Sequence, residues 1–139
     1  MVPDRENDKV AVVDWVKDMF RSMGEGDFEK FCNGCSETIR LYPPNTKPHI
    51  GMASMKKLTQ PWFETFNMSH VISEINVQTD SNTAYAFAQY VDTIIPKKGG
   101  EKQVTPNKAI YILRRESDNS WKASDIIWNR NPPTEWSET

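Results

Sequence analysis

The chain has 139 residues, with 17 Lys plus Arg against 19 Asp plus Glu, a formal net charge of −2, and only 2 His and 2 Cys. That length suits one domain spanning 1–139, and a chain of about 150 residues buries roughly 70% of its unfolded surface without a disulfide or metal to help it. The near-neutral balance excludes the electrostatic footprint of a nucleic-acid binder, and no apolar run approaches the ~20 residues of a membrane span.

The opening stretch, Met1-Val2-Pro3-Asp4-Arg5-Glu6, lacks the basic and apolar regions of a signal peptide, so a cytoplasmic location is expected. Val12, Val16, Met19 and Met23 then recur on one face of a 3.6-residue helix, with Val13 and Phe20 widening it. Lys9, Lys17, Asp18 and Arg21 form the polar side. Gly24-Glu25-Gly26 ends this helix, since glycine is favoured after a helix C-terminus. Asp27 reads as the N-cap of a short second helix anchored by Phe28 and Phe31.

Beyond Ser36 the pattern changes. Thr38-Ile39-Arg40-Leu41-Tyr42 alternates like a strand and stops at Pro43-Pro44. A loop runs from Asn45 to Gly51. Met52 to Phe66 reads as a third helix, with Met52, Met55, Leu58 and Trp62 or Phe63 at helical spacing. Pro61 is expected to break or kink it, because proline lacks the amide donor and clashes with the preceding turn. Four strands follow: Val71 to Thr79, Ala84 to Ile95, Val104 to Arg115 and Trp121 to Asn129. The turns between them are Asp80-Ser81-Asn82, Pro96 to Gly100, and Glu116 to Asn119. Asn131-Pro132-Pro133 closes the last strand, and a loose tail is expected after it. Helices followed by hairpin-linked strands argue an α+β fold with an antiparallel sheet.

The chemistry-bearing motifs are few. Cys32-Asn33-Gly34-Cys35 is a C-x-x-C near the end of a short helix, where the helix dipole raises a thiol pKa rather than lowering it. As a zinc site it supplies two of four ligands. Ordinary reduced thiols are the expectation. His49 lies in a loop, as a general base beside a pocket mouth or as an exposed side chain. His70 begins a strand with no evident partner. No phosphate-binding glycine loop is present, and no cofactor or metal is expected.

The order of elements and several local motifs resemble the nuclear transport factor 2-like superfamily, in its ketosteroid isomerase-like and SnoaL-like branches. The residues that carry the resemblance are Gly26-Asp27 after helix one, Tyr42-Pro43-Pro44, His49-Ile50-Gly51, the hairpin Arg114 to Lys122, and Ile127-Trp128-Asn129. They span about residues 8–131. The resemblance implies a curved antiparallel sheet wrapped around the three N-terminal helices, a cone with an apolar pocket. It also implies a homodimer formed through the outer sheet face. A ketosteroid isomerase-like site needs a carboxylate base, a tyrosine and a protonated acid. Its positions fall on Pro43, Met19 and near Tyr111, so steroid isomerisation by that mechanism is not expected.

Strand alternation offers two faces for the second long strand. With Ala84, Ala86, Ala88, Tyr90 and Asp92 inward, as the resemblance implies, three alanines leave room for a ligand. Tyr85, Phe87 and Val91 then form an outward apolar surface suited to a partner. With the faces reversed, the aromatics fill a closed core. On the last strand the resemblance turns Ser124, Ile126 and Trp128 inward, and a bulge would bring in Asp125 instead. The expected pocket wall is Met19, Phe20, Met23, Trp62, Phe66 and Trp128, with Tyr42, Tyr90, Asp92 and Tyr111 as candidate catalytic groups. The expected ligand is a small apolar carbonyl compound, handled by a cyclase, isomerase or dehydratase, or simply bound.

Overall fold

The computed structural model describes residues 5–131. The tail expected after Pro133 lies outside the described residues. Helix α1 spans Arg5–Glu25 and α2 Phe28–Asn33, followed by strands β1 (Cys35–Tyr42) and β2 (His49–Ile50). Helix α3 (Met52–Thr65) leads into β3 (Phe66–Asp80), β4 (Thr83–Pro96), β5 (Gln103–Arg115) and β6 (Trp121–Arg130).

The apolar stripe of α1 is buried against the sheet: Val12 and Val16 are fully enclosed and Phe20 nearly so. Each such side chain contributes about 1.5–3 kcal/mol on burial. The helix stops where Gly26 turns to φ 72°, a conformation that costs glycine little. There the Gly26 N–H donates to the Met23 carbonyl and the Asp27 N–H to that of Ser22, serving carbonyls that the helix leaves open. Asp27 then caps α2, its carboxylate accepting from the Lys30 N–H at 3.0 Å.

All six strands form one sheet in the order β2-β1-β6-β5-β4-β3. It is mixed rather than purely antiparallel, because β1 runs parallel to β6. Most of the chain separates those two strands, so no hairpin fixes their relative direction. The segment expected to be loop from Asn45 to Gly51 contains β2, which pairs with Arg40 and Leu41. Register shifts lie between Ile72 and Glu74 and between Ile112 and Leu113. Such bulges bend and twist a strand.

Pro61 sits inside α3, which continues through it to Thr65. Its position is exposed, so the carbonyl that loses its intrahelical donor faces water.

Helix α1 lies over the inner face of the sheet along its length. At its start, Asp8 pairs with Arg115 Nη2 at 2.6 Å, and the same guanidinium donates to the Ser81 carbonyl and covers the Trp121 ring. Midway, Trp15 meets Tyr111 edge-on and donates its indole N–H to the Gly34 carbonyl at 3.1 Å. Further on, Phe20 packs on Tyr90 and His70. Ala84, Ala86, Ala88, Ala109 and Ala123 are all buried on the sheet's inner face. Their small side chains bring helix and sheet together and leave no space for a ligand there. No described helix is long and apolar enough to cross a membrane.

Candidate functional site

Where α1 ends, the inner face of the sheet continues past it, and a cavity of about 300 Å³ opens. Met19 and Met23 from the last turns of α1 form one side, and Trp62 and Phe66, at the end of α3 and the start of β3, form another. Trp128 of β6 closes a third and meets Trp62 edge-on, the ring centroids 6.0 Å apart.

The polar groups come from successive rows of the sheet. One row runs Arg130–Asn107–Tyr90–Ile72 across β6, β5, β4 and β3. The next runs Thr105–Asp92–His70. A third runs Gln103–Ile94–Met68. Because residues two apart share a face, Tyr90 and Asp92 both point to the concave side, as do Met68 and His70.

Asp92 and His70 stand directly opposite each other on paired strands. Cβ atoms of such a pair lie about 5 Å apart. His70 Nδ1 and Asp92 Oδ1 are both buried, and neither has a hydrogen-bond partner in the protein. Buried polar atoms are nearly always satisfied, and these two face one cavity wall with no partner from the protein.

Burial lowers the His70 pKa to about 4, so the imidazole is neutral and its ring nitrogens include one donor and one acceptor. Burial raises the Asp92 carboxyl above its ordinary range, against the opposing pull of the Asn107 amide, the Arg130 charge and the Thr105 backbone N–H. Tyr90 is also raised, by burial and then by Asp92, and stays a hydroxyl donor.

Of the residues expected at the site, Met19, Met23, Trp62, Phe66, Tyr90, Asp92 and Trp128 line the cavity. Phe20 does not: it is packed between His70 and Tyr90 behind the wall. Tyr111 lies deep under α1, only 2% exposed, and burial holds its hydroxyl well above the ordinary range. Tyr42 is on the opposite side of the sheet, because β1 turns Leu41 inward and therefore Tyr42 outward.

The last strand behaves in two ways. Its second half follows the expected alternation, with Ile126 and Trp128 facing the cavity. The bulge at Ser124 reverses the first half, so Ala123 enters the core while Ser124 joins Lys122 on the outer face. Asp125 stays outward in a bidentate pair with Arg40, at 2.7 and 3.1 Å, and accepts from the Ser124 hydroxyl.

Sequence reasoning missed His70, Asn107 and Arg130 as cavity residues. His49 sits away from the cavity, its Nδ1 3.0 Å from the Ser54 hydroxyl. Cys32 and Cys35 are unbridged and buried, and burial pushes the Cys35 thiol up to about 12, which removes thiolate chemistry near neutrality. Among the described residues, no cluster of three or more His, Cys, Asp or Glu is placed to hold a metal ion.

Solved structures share this architecture. A ketosteroid isomerase-like protein from Erwinia carotovora atroseptica is 17% identical and superimposes with a TM-score of 0.77, covering 90% of this chain and 97% of that one. A proposed dehydratase of the nuclear transport factor 2-like family from Streptomyces avermitilis is 14% identical with a TM-score of 0.82, over 92% and 99%. A nuclear transport factor 2-like protein with a cystatin-like fold from Novosphingobium aromaticivorans is 14% identical with a TM-score of 0.74, over 95% and 87%. No family model matches the chain, and no curated protein matches it. At these identities the likeness establishes the fold, an α+β nuclear transport factor 2-like roll, and leaves chemistry to the residues.

Proposed function

We propose that this chain, a nuclear transport factor 2-like roll, takes a small apolar carbonyl compound into the cavity and moves a proton on it. The observation that carries this reading is the Asp92–His70 pair, opposed across two strands with a buried, unpartnered oxygen and nitrogen on one cavity wall. A volume of about 300 Å³ is at the small end of ligand sites and suits a molecule of one or two rings.

The chemistry follows from the groups present. In its ionised form, Asp92 removes the proton from the carbon beside the carbonyl. The C–H electron pair moves onto the carbonyl oxygen, where the Tyr90 hydroxyl donates a hydrogen bond to the developing enolate. Neutral His70, facing Asp92, relays or returns the proton. Returning it to another carbon completes an isomerisation, and expelling a neighbouring hydroxyl as water completes a dehydration. Isomerase-like and dehydratase-like proteins of the same fold support this class of reaction.

The test needs no natural substrate. 2-Tetralone is small enough for the cavity and has an acidic carbon next to its carbonyl, and its hydrogen–deuterium exchange in D₂O is read by NMR. We expect acceleration over buffer, reduced about 10²-fold or more in Asp92→Asn. Binding of 2-tetralone without acceleration would replace the enzyme with the second reading, a ligand-binding module of the same fold.

A second copy of the chain is the partner we propose for the outer sheet face. Phe87, Ile110, Ile127 and Tyr42 form one row there, with Tyr85, Ile112, Asp125 and Arg40 beside them. Ile110, Ile112, Ile127 and Tyr85 are exposed. The unbridged, buried cysteines suit a reducing compartment, and with it the cytoplasm.

A further inference from the structure

We infer that the ligand carries a carboxylate, held at the cavity mouth by Arg130, with its apolar body between Trp62 and Trp128. This rests on the reading of the cavity as a ligand site and narrows the class of compound it accepts.

Among the described residues, Arg130 is the only one lining the cavity with a permanent positive charge, and it is exposed at the rim. Among the described residues, no carboxylate lies within ion-pair distance of it and no side chain or backbone oxygen accepts from it. The other guanidiniums that border buried parts of the molecule are committed: Arg40 to Asp125, and Arg115 to Asp8 and Ser81. An arginine's planar fork of donors matches a carboxylate in a bidentate pair.

Register places this cation relative to the proposed chemistry. Arg130 is opposite Asn107, and Asn107 is opposite Tyr90. The backbones of Arg130 and Tyr90 are therefore two strand spacings apart, about 10 Å, and their side chains converge on the concave face. Asn107 between them is buried, with its amide donating to the Thr105 carbonyl at 2.9 Å, so it forms a fixed floor rather than a competing partner. A ligand whose carboxylate and carbonyl sit at opposite ends of one ring spans that separation.

A different role for Arg130 is that of counter-ion to Asp92, whose carboxyl its charge stabilises. That role predicts no preference among ligands of equal shape, so the two are separable by experiment. 4-Acetylbenzoate and 4-acetylbenzamide differ in charge but hardly in size. Titrated into the full chain by ligand-detected NMR, the acid should bind at least 10-fold tighter than the amide. Arg130→Gln should abolish that preference, with the acid losing far more affinity than the amide, and Arg130→Lys should restore part of it. Equal binding of the two probes to the unmodified protein would overturn the inference, as would a preference that survives in Arg130→Gln. Either result leaves cavity binding intact. Failure of both probes together with 2-tetralone would reject the cavity reading, and this inference with it.

Discussion

His70 and Asp92 are partly buried groups whose protonation differs between the folded and unfolded chain, and that makes them readable by stability. The folded pKa of His70, about 4, lies below the ordinary histidine value of 6.5. Between those two values the unfolded chain binds a proton that the folded chain does not. Stability therefore falls as pH drops from 6.5 towards 4, by up to about 3 kcal/mol, and the loss is complete below that window. Asp92 acts in the opposite sense: its raised carboxyl binds a proton in the folded state first, which offsets part of the loss. Chemical denaturation at pH 7 and pH 4.5 should show a large stability difference in the unmodified protein and a clearly smaller one in His70→Gln. An unchanged difference would mean that His70 is not the group responsible. His70 was hard to find in the sequence because, at the very start of the strand as read there, no preceding alternation shows which face it takes. With the strand extended back to Phe66, it falls in line with Met68 and Ile72 on the inward face. Arg130 escaped at a strand end as well. A last strand stopped at Asn129 excludes the residue that continues the inward series Ile126 and Trp128.

Elements were more legible than their edges. Every helix and long strand follows from hydrophobic period and turn residues, since burial acts on many residues at once. The end of α1 and the start of α2 were legible because Gly26 and Asp27 each have a specific backbone task. Asp27→Ala should cost about 1 kcal/mol in a urea midpoint measurement at constant m, because the Lys30 amide loses its acceptor. A loss near zero would mean that water replaces the cap at no cost. Proline was the misleading signal. Pro61 marks no break in α3 because it occupies an exposed position. Pro106 is different: its carbonyl accepts from the Asn131 N–H at 2.8 Å, but it has no donor to return, and β5–β6 pairing ends beside it at Asn107–Arg130. The bulge at Ser124 has no sequence mark, yet it decides that Ala123 enters the core while Ser124 turns outward.

At the scale of the whole molecule, two consequences follow from one choice of sheet face. The alanines of β4 point inward, but they serve close packing by α1, and the cavity opens only where Tyr90, Asp92 and Ile94 replace them beyond the helix end. The faces were legible from alternation; the length of α1 relative to the sheet, which sets where the cavity begins, was not. The same alternation puts Tyr85, Ile110, Ile112 and Ile127 outward on adjacent strands. Scattered exposed apolar residues are ordinary, but these occupy neighbouring positions in two rows and form a continuous patch of the kind that marks an interaction surface. Beside them, Arg40 and Asp125 satisfy each other, so covering the patch strands no lone charge. Sedimentation equilibrium at micromolar concentration should give twice the 16.0 kDa chain mass. Ile110→Arg, in the middle of the patch, should shift the protein to monomer with unchanged far-UV circular dichroism, since its side chain is already exposed and the core does not depend on it. A monomer in the unmodified protein would sink the proposal of a self-association surface, and a dimer indifferent to Ile110→Arg would place the contact elsewhere on the molecule.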